Sequence, residues 1–146
     1  MKKILIFLVF ICYSCGIIND TTEETYLFTF NIINKTGQDL LIGIEGDQLE
    51  MITNDETISC VTEAFRAWRG ALCNGRLIIQ IPSTSTGYLC MAGEDNGLCF
   101  ADQRSVFSID FDTIYTETST RTYEYTLTPE FLEGVFELPN DSLDVE

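Results

Sequence analysis

From Tyr26 onward the chain alternates apolar and polar residues. Tyr26, Phe28, Phe30 and Ile32 share one face, while Thr29 and Asn31 share the other; period-two alternation is the pattern of a half-buried strand. Asn34-Lys35-Thr36-Gly37 follows as a turn, and Leu40, Ile42 and Ile44 resume the alternation up to Gly46-Asp47. The spacing predicts a β-hairpin over residues 26–45. Leu49–Thr53 and Thr57–Val61 read as two shorter strands separated by Asn54-Asp55-Glu56. Between Glu63 and Cys73 the period changes. Phe65, Trp68 and Leu72 recur at helical spacing, Thr62 is placed to cap, and Asn74-Gly75 is placed to stop the run. This stretch is expected to form a short helix or helical loop crossing the end of the sheets.

Arg76–Ile81 is a strongly aliphatic strand ended by Pro82, and the residues from Ser83 to Gly87 are a loop by composition. Tyr88–Ala92 and Leu98–Ala101 flank Gly93-Glu94-Asp95-Asn96-Gly97 as the stems of a hairpin. Ser105–Asp112 alternates, with Phe107, Ile109 and Phe111 inward and Ser108, Asp110 and Asp112 outward. After the threonine-rich stretch Thr113–Thr122, the alternation returns in Tyr123, Tyr125 and Leu127. Thr128-Pro129 opens a single helical turn, and Val135–Leu138 reads as a last edge strand. About seven to eight short strands at 8–12-residue spacing, with turn signals between them, predict an all-β fold. The expected architecture is an antiparallel β-sandwich of immunoglobulin-like kind with one short helix or helical loop. It forms one domain over residues 26–139, without an internal repeat.

The segment before this body is of another kind. Lys2 and Lys3 precede an unbroken apolar run from Ile4 to Ile11, and Cys12-Tyr13-Ser14-Cys15-Gly16 follows. Order and length fit a secretory signal; a membrane span needs roughly 20 apolar residues. The residues Ser14-Cys15-Gly16 resemble a bacterial lipobox, in which a small residue precedes a cysteine that becomes lipid-modified and N-terminal. Cys12 and Tyr13 depart from the usual leucine and small residue, a looser form similar to that of Bacteroidota lipoproteins. An early aromatic strand, an Asn-Lys-Thr-Gly turn and an aliphatic strand also resemble the opening of many small β-sandwich lipoproteins. The resemblance implies a signal peptide over residues 1–14, acylation of Cys15 and an anchor in the bacterial outer membrane. Polar and acidic composition, with Asp20, Glu23 and Glu24, makes residues 15–25 an expected flexible tether between the anchor and the domain. Several acyl chains hold a protein on a bilayer where one does not, each buried CH₂ contributing about 0.8 kcal/mol. Ordinary signal cleavage, leaving Cys15 unmodified, is the alternative. Asn19, Asn34 and Asn140 each start an Asn-x-Ser/Thr triplet; beside a lipobox these read as chance occurrences or turn residues rather than glycan acceptors. Residues 140–146 form an acidic tail expected to be disordered.

Composition narrows the chemistry. Of the 146 residues, 132 remain after residue 14, enough for one domain with a core. They carry 6 basic against 23 acidic side chains, a net charge of −17. No basic patch can be assembled from so few cations, which argues against nucleic-acid binding; acidic surfaces mostly serve solubility. Cys60, Cys73, Cys90 and Cys99 are an even set in an exported chain, which implies two disulfides with three possible connectivities. Cys60–Cys73 and Cys90–Cys99 are favoured because each pair brackets a compact segment.

The chain contains no histidine. That removes the usual triads, most zinc sites and the commonest general base, and no cofactor is expected. Four disulfide partners leave no cysteine nucleophile. Glu94 and Asp95 in one loop, with Asp110 and Asp112 at i, i+2 spacing, are calcium candidates. Neither pair supplies the six to eight oxygens calcium takes, so solvated carboxylates are the plainer reading. Trp68, Tyr88 and Tyr115 are candidate sugar-stacking rings, with core packing as the plainer reading. Three functions stay in view. The first is a lipid-anchored, non-enzymatic domain that binds another envelope or extracellular protein. The second is a surface carbohydrate-binding module. The third is a histidine-free hydrolase acting on glycans through two carboxyls.

Overall fold

The computed structural model describes residues 24–44, 48–65, 73–101, 103–109 and 112–139. Nine strands lie among them: β1 (Thr25–Asn34), β2 (Leu40–Gly43), β3 (Glu50–Ile52), β4 (Thr57–Phe65), β5 (Arg76–Gln80), β6 (Thr86–Met91), β7 (Thr116–Ser119), β8 (Thr122–Leu127) and β9 (Phe136–Glu137). They form two sheets, in the order β4-β1-β8-β7 and β3-β2-β5-β6-β9. The all-β sandwich expected from the alternation is the observed architecture. Neighbouring strands are antiparallel except β1 and β8, which run parallel, Thr29 opposite Thr122 and Asn34 opposite Leu127.

The side chains between the sheets come from the predicted inward positions. Phe28, Phe30 and Ile32 of β1, Leu40 and Ile42 of β2, Leu77 and Ile79 of β5 and Leu127 of β8 are buried together. β5 is apolar on both faces because both faces are covered. Leu77 and Ile79 enter the main core, while Ile78 packs with Leu89 and Leu138 in a second cluster behind the sheet. This accounts for the unbroken apolar run that the strand shows in sequence.

The turn at residues 34–37 exists, but it does not close a hairpin. β1 pairs with β4 and β8, whereas β2 pairs with β3 and β5, so the chain arches from one sheet to the other. Asn34 makes the arch. Its side chain is fully buried and donates to the carbonyls of Gln38 (2.8 Å) and Ile52 (3.0 Å). Its Oδ1 accepts from the Thr36 amide (3.1 Å) and hydroxyl (2.7 Å). A hairpin would have left β1 without the long antiparallel partner that β4 provides over nine residue pairs.

Three other expectations are corrected. The helix placed from Glu63 is strand at its start, since β4 continues to Phe65; a 3-10 turn then covers Cys73–Gly75. Residues 66–72 lie outside the described residues. The strand expected over Ser105–Asp112 is replaced by a short helix, α1 (Gln103–Phe107), which buries the consecutive residues Val106 and Phe107. A strand would send one of that pair outward. Leu98–Ala101 does not form a hairpin stem. One backbone bond, Leu89 N to Leu98 O (3.0 Å), joins it to β6. The Asn96 side chain takes the place of the ladder, donating to Leu89 O and accepting from Leu98 N. The threonine-rich stretch supplied a strand that the alternation had not marked, the exposed β7. The 3-10 turn Pro129–Gly134 and the edge strand β9 stand where expected.

Candidate functional site

The structure closes Cys60–Cys73 and Cys90–Cys99, with Cα atoms 6.0 and 4.6 Å apart. The first bond ties the segment before β5 to the middle of β4. There the Thr62 hydroxyl also accepts from the Cys73 amide at 3.2 Å. Cys15 and Trp68 lie outside the described residues.

Two of the sugar-stacking candidates are core residues. Tyr88 is 4 % exposed and its hydroxyl donates to Phe131 O at 2.8 Å. Its ring lies 4.6 Å from that of Phe131 and 5.4 Å from that of Phe100. Tyr115, 9 % exposed, stands edge-on to Phe30 at 5.3 Å. Burial pushes the hydroxyls of both tyrosines above the ordinary phenol range, as it does for Tyr123 and Tyr125. Neither ring offers the open face that a sugar needs.

The calcium candidates do not converge as a strand face. Asp112 sits in a turn with φ +68°, and Asp110 is outside the described residues. Asp95 is used locally, accepting from the Gly97 amide at 3.1 Å, and Glu94 is exposed. Among the described residues no group of three or more acidic, histidine or cysteine side chains could hold a metal.

What the structure does bring together lies around β4, an edge strand and one of the two longest in the fold. The pairing register puts Leu27 opposite Glu63 and Thr29 opposite Val61 on the outer face. Leu27 is 64 % exposed and Val61 54 % exposed, so two apolar side chains stand as diagonal neighbours in water. One step along the same face, Ser59 Oγ donates to Asn31 Oδ1 (2.7 Å), and Asn31 Nδ2 donates to Glu124 (3.3 Å). This bridge fixes three strands across the sheet.

Around the edge of β4 is a cleft of about 350 Å³, lined by Ile44, Gln48, Glu50, Thr57, Ile58 and Ser59. It opens at the seam between β4 of one sheet and β3 of the other. Glu50 is the one carboxylate among the lining residues. The seam residues were not singled out by sequence reasoning. The signal for Val61 and Leu27 was present: each is apolar at an outward phase of its strand.

Comparison of the chain with family models, with curated proteins and with solved structures finds no match.

Proposed function

We propose that the chain is a lipoprotein held in the bacterial outer membrane through Cys15, and that its β-sandwich binds another envelope or extracellular protein without catalysing a reaction. The observation that carries the reading is the pair Leu27 and Val61. Two exposed aliphatic side chains stand as diagonal neighbours on a hydrogen-bonded sheet face beside a sheet edge. Clustered apolar groups left in water on a sheet face fit association with a partner, and strand edges are natural docking elements. The two disulfides fit an exported domain. The carbohydrate alternative loses ground with Tyr88 and Tyr115 committed to the core. A glycan hydrolase would need a second carboxyl about 5–10 Å from the first, and Glu50 faces none among the residues lining the cleft.

Two measurements test the proposal. The protein extracted from its own membranes should have a mass beginning at Cys15 plus several acyl chains. A photo-activated crosslinker placed at Val61 in living cells should capture a reproducible protein, whereas one at Thr84, in the loop after β5, should not. A lipid-free mass refutes the anchor. Absence of any reproducible protein adduct at Val61 refutes the partner.

A further inference from the structure

Glu50 breaks the pattern of its own strand. It stands opposite Ile42, and Ile52 stands opposite Leu40. Directly opposed residues share a face, so Glu50 takes the phase of Ile42 and Ile52, the phase that enters the space between the sheets. Met51, 52 % exposed, takes the outward phase. At this end of the strand the seam is open and Glu50, unlike Ile52, is exposed, so the carboxylate stands at the mouth of the sandwich in the phase of the core residues. The floor of the cleft beside it is aliphatic: Ile44 and Ile58 are each 7 % exposed. Gln48 and Thr57 add an amide and a hydroxyl. The side chains of Gln48, Glu50 and Thr57 make no hydrogen bond or ion pair with any described residue.

We propose that this cleft receives a lysine or arginine side chain from an extended segment of the protein partner. The proposal rests on the protein-binding reading above and names where and by what chemistry the partner is held. An apolar floor beneath a single carboxylate matches a long aliphatic stem that ends in a cation. No cation lines the cleft to receive an anion, and the chain's excess of acids over bases, 23 against 8, attracts basic segments at longer range. Continuity supports a peptide rather than a free cation. Ser59 lines the cleft and Val61 lies two residues along the same strand face. A segment running beside the β4 edge would cover Leu27 and Val61 and place a side chain in the cleft about 7 Å further on.

The test uses the full-length, disulfide-oxidised chain labelled with ¹⁵N. It is titrated with a capped pentapeptide carrying lysine between two valines. The same peptide with norleucine or glutamate at the centre, and a neutral glucose hexasaccharide, serve as comparisons. The lysine peptide should shift the amides of Ile44, Gln48, Glu50, Ile58, Ser59 and Val61. It should bind up to about fivefold tighter than the norleucine peptide, the range of one solvent-accessible ion pair. Glu50→Gln should erase that difference, and Thr57→Trp, which fills the cleft from an exposed position, should abolish the shifts. Unchanged signals elsewhere show that both variants are folded. Equal binding of the norleucine peptide, a response of these residues to the hexasaccharide, or no response to the lysine peptide would overturn the proposal. So would self-association of Glu50→Gln without any peptide response, which would make Glu50 a charge that keeps the seam from pairing with other chains. The two readings fail separately. A Val61 crosslink that survives Glu50→Gln and Thr57→Trp unchanged refutes the cleft alone. A crosslink missing from the parent chain refutes the protein-binding function.

Discussion

Asn34→Ala tests how the two sheets are joined. The Asn34 side chain is wholly buried and makes four hydrogen bonds, two as donor and two as acceptor. Its backbone adds two more, its amide donating to Glu56 O and its carbonyl accepting from Asp55 N, and the next amide, of Lys35, donates to Leu127 O. Truncation leaves the backbone bonds but removes the amide that holds Gln38 and Ile52. The Thr36 hydroxyl, 3.2 Å from Gln38 O, can replace one of them. The Ile52 carbonyl and the Thr36 amide are then left without partners, at about 1–3 kcal/mol each. The expected loss is about 2–4 kcal/mol, a large share of the roughly 5–15 kcal/mol that holds a domain folded. Urea unfolding of the oxidised chain at pH 7, followed by far-ultraviolet circular dichroism, measures it as a fall in midpoint at constant slope. Asn34→Asp is the companion. It keeps the acceptor for Thr36 but turns an oxygen toward two carbonyls, so its folded-state pKa should rise above the unfolded value. Its deficit should then shrink as pH falls through the carboxylate range and grow as pH rises. An Asn34→Ala variant within about 0.5 kcal/mol of the parent would refute the assignment of the arch to this side chain.

Other substitutions and conditions have equally definite expected outcomes. Gly87→Ala puts a Cβ 2.0 Å from the Ile79 carbonyl and 2.9 Å from the Gln80 Cα, so β5 or β6 must shift; a loss of about 3 kcal/mol or failure to fold is expected, read by urea midpoint. Replacing both Cys90 and Cys99 with alanine releases a crosslink with a sequence separation of 9, and the loss should be about 3 kcal/mol. Tyr88, Tyr115, Tyr123 and Tyr125 all have hydroxyls raised by burial, so the unfolded chain loses these protons first as pH climbs past about 10. Stability should therefore be full below that pH and decline above it, with absorbance at 295 nm lagging the ordinary phenol curve until the chain unfolds. Glu56 is held below the usual carboxylate range by the Thr53 amide and hydroxyl; Glu56→Gln should flatten the loss of stability on acidification.

Where one face of a strand meets the core, as in β1, β2 and β8, period two was sufficient to place it. It failed where something other than alternation decided the partner. Asn34-Lys35-Thr36-Gly37 is turn chemistry in either case, and the choice between a hairpin and an arch depends on β4, which lies some twenty residues further on in sequence. Ser105–Asp112 alternates convincingly, yet the core at that point accepts the adjacent pair Val106 and Phe107, which only a helical turn can deliver. β7 is exposed at every position and shows no apolar alternation. It is a strand because β8 presents a ladder to pair with.

The same limit governs the site. Tyr88 and Tyr115 stood out because aromatic residues have known uses, but ring type does not say whether a face is open. Their contacts with Phe131 and Phe30 settle that both rings serve the core. Glu50 did not stand out, because a single acidic residue within the short expected strand Leu49–Thr53 reads as an ordinary solvated position. Its meaning comes only from register: opposite Ile42, it occupies a position where its strand should be apolar. Leu27 and Val61 are the converse, apolar where their strands should be polar. Each of these departures is unfavourable or idle in the isolated domain, the carboxylate because it forgoes burial and the two aliphatics because they stay in water. All three flank one sheet edge, β4. A single partner that covers Leu27 and Val61 and brings a cation to Glu50 would offset all three at once, which is why one surface is a more economical account than three unrelated exceptions.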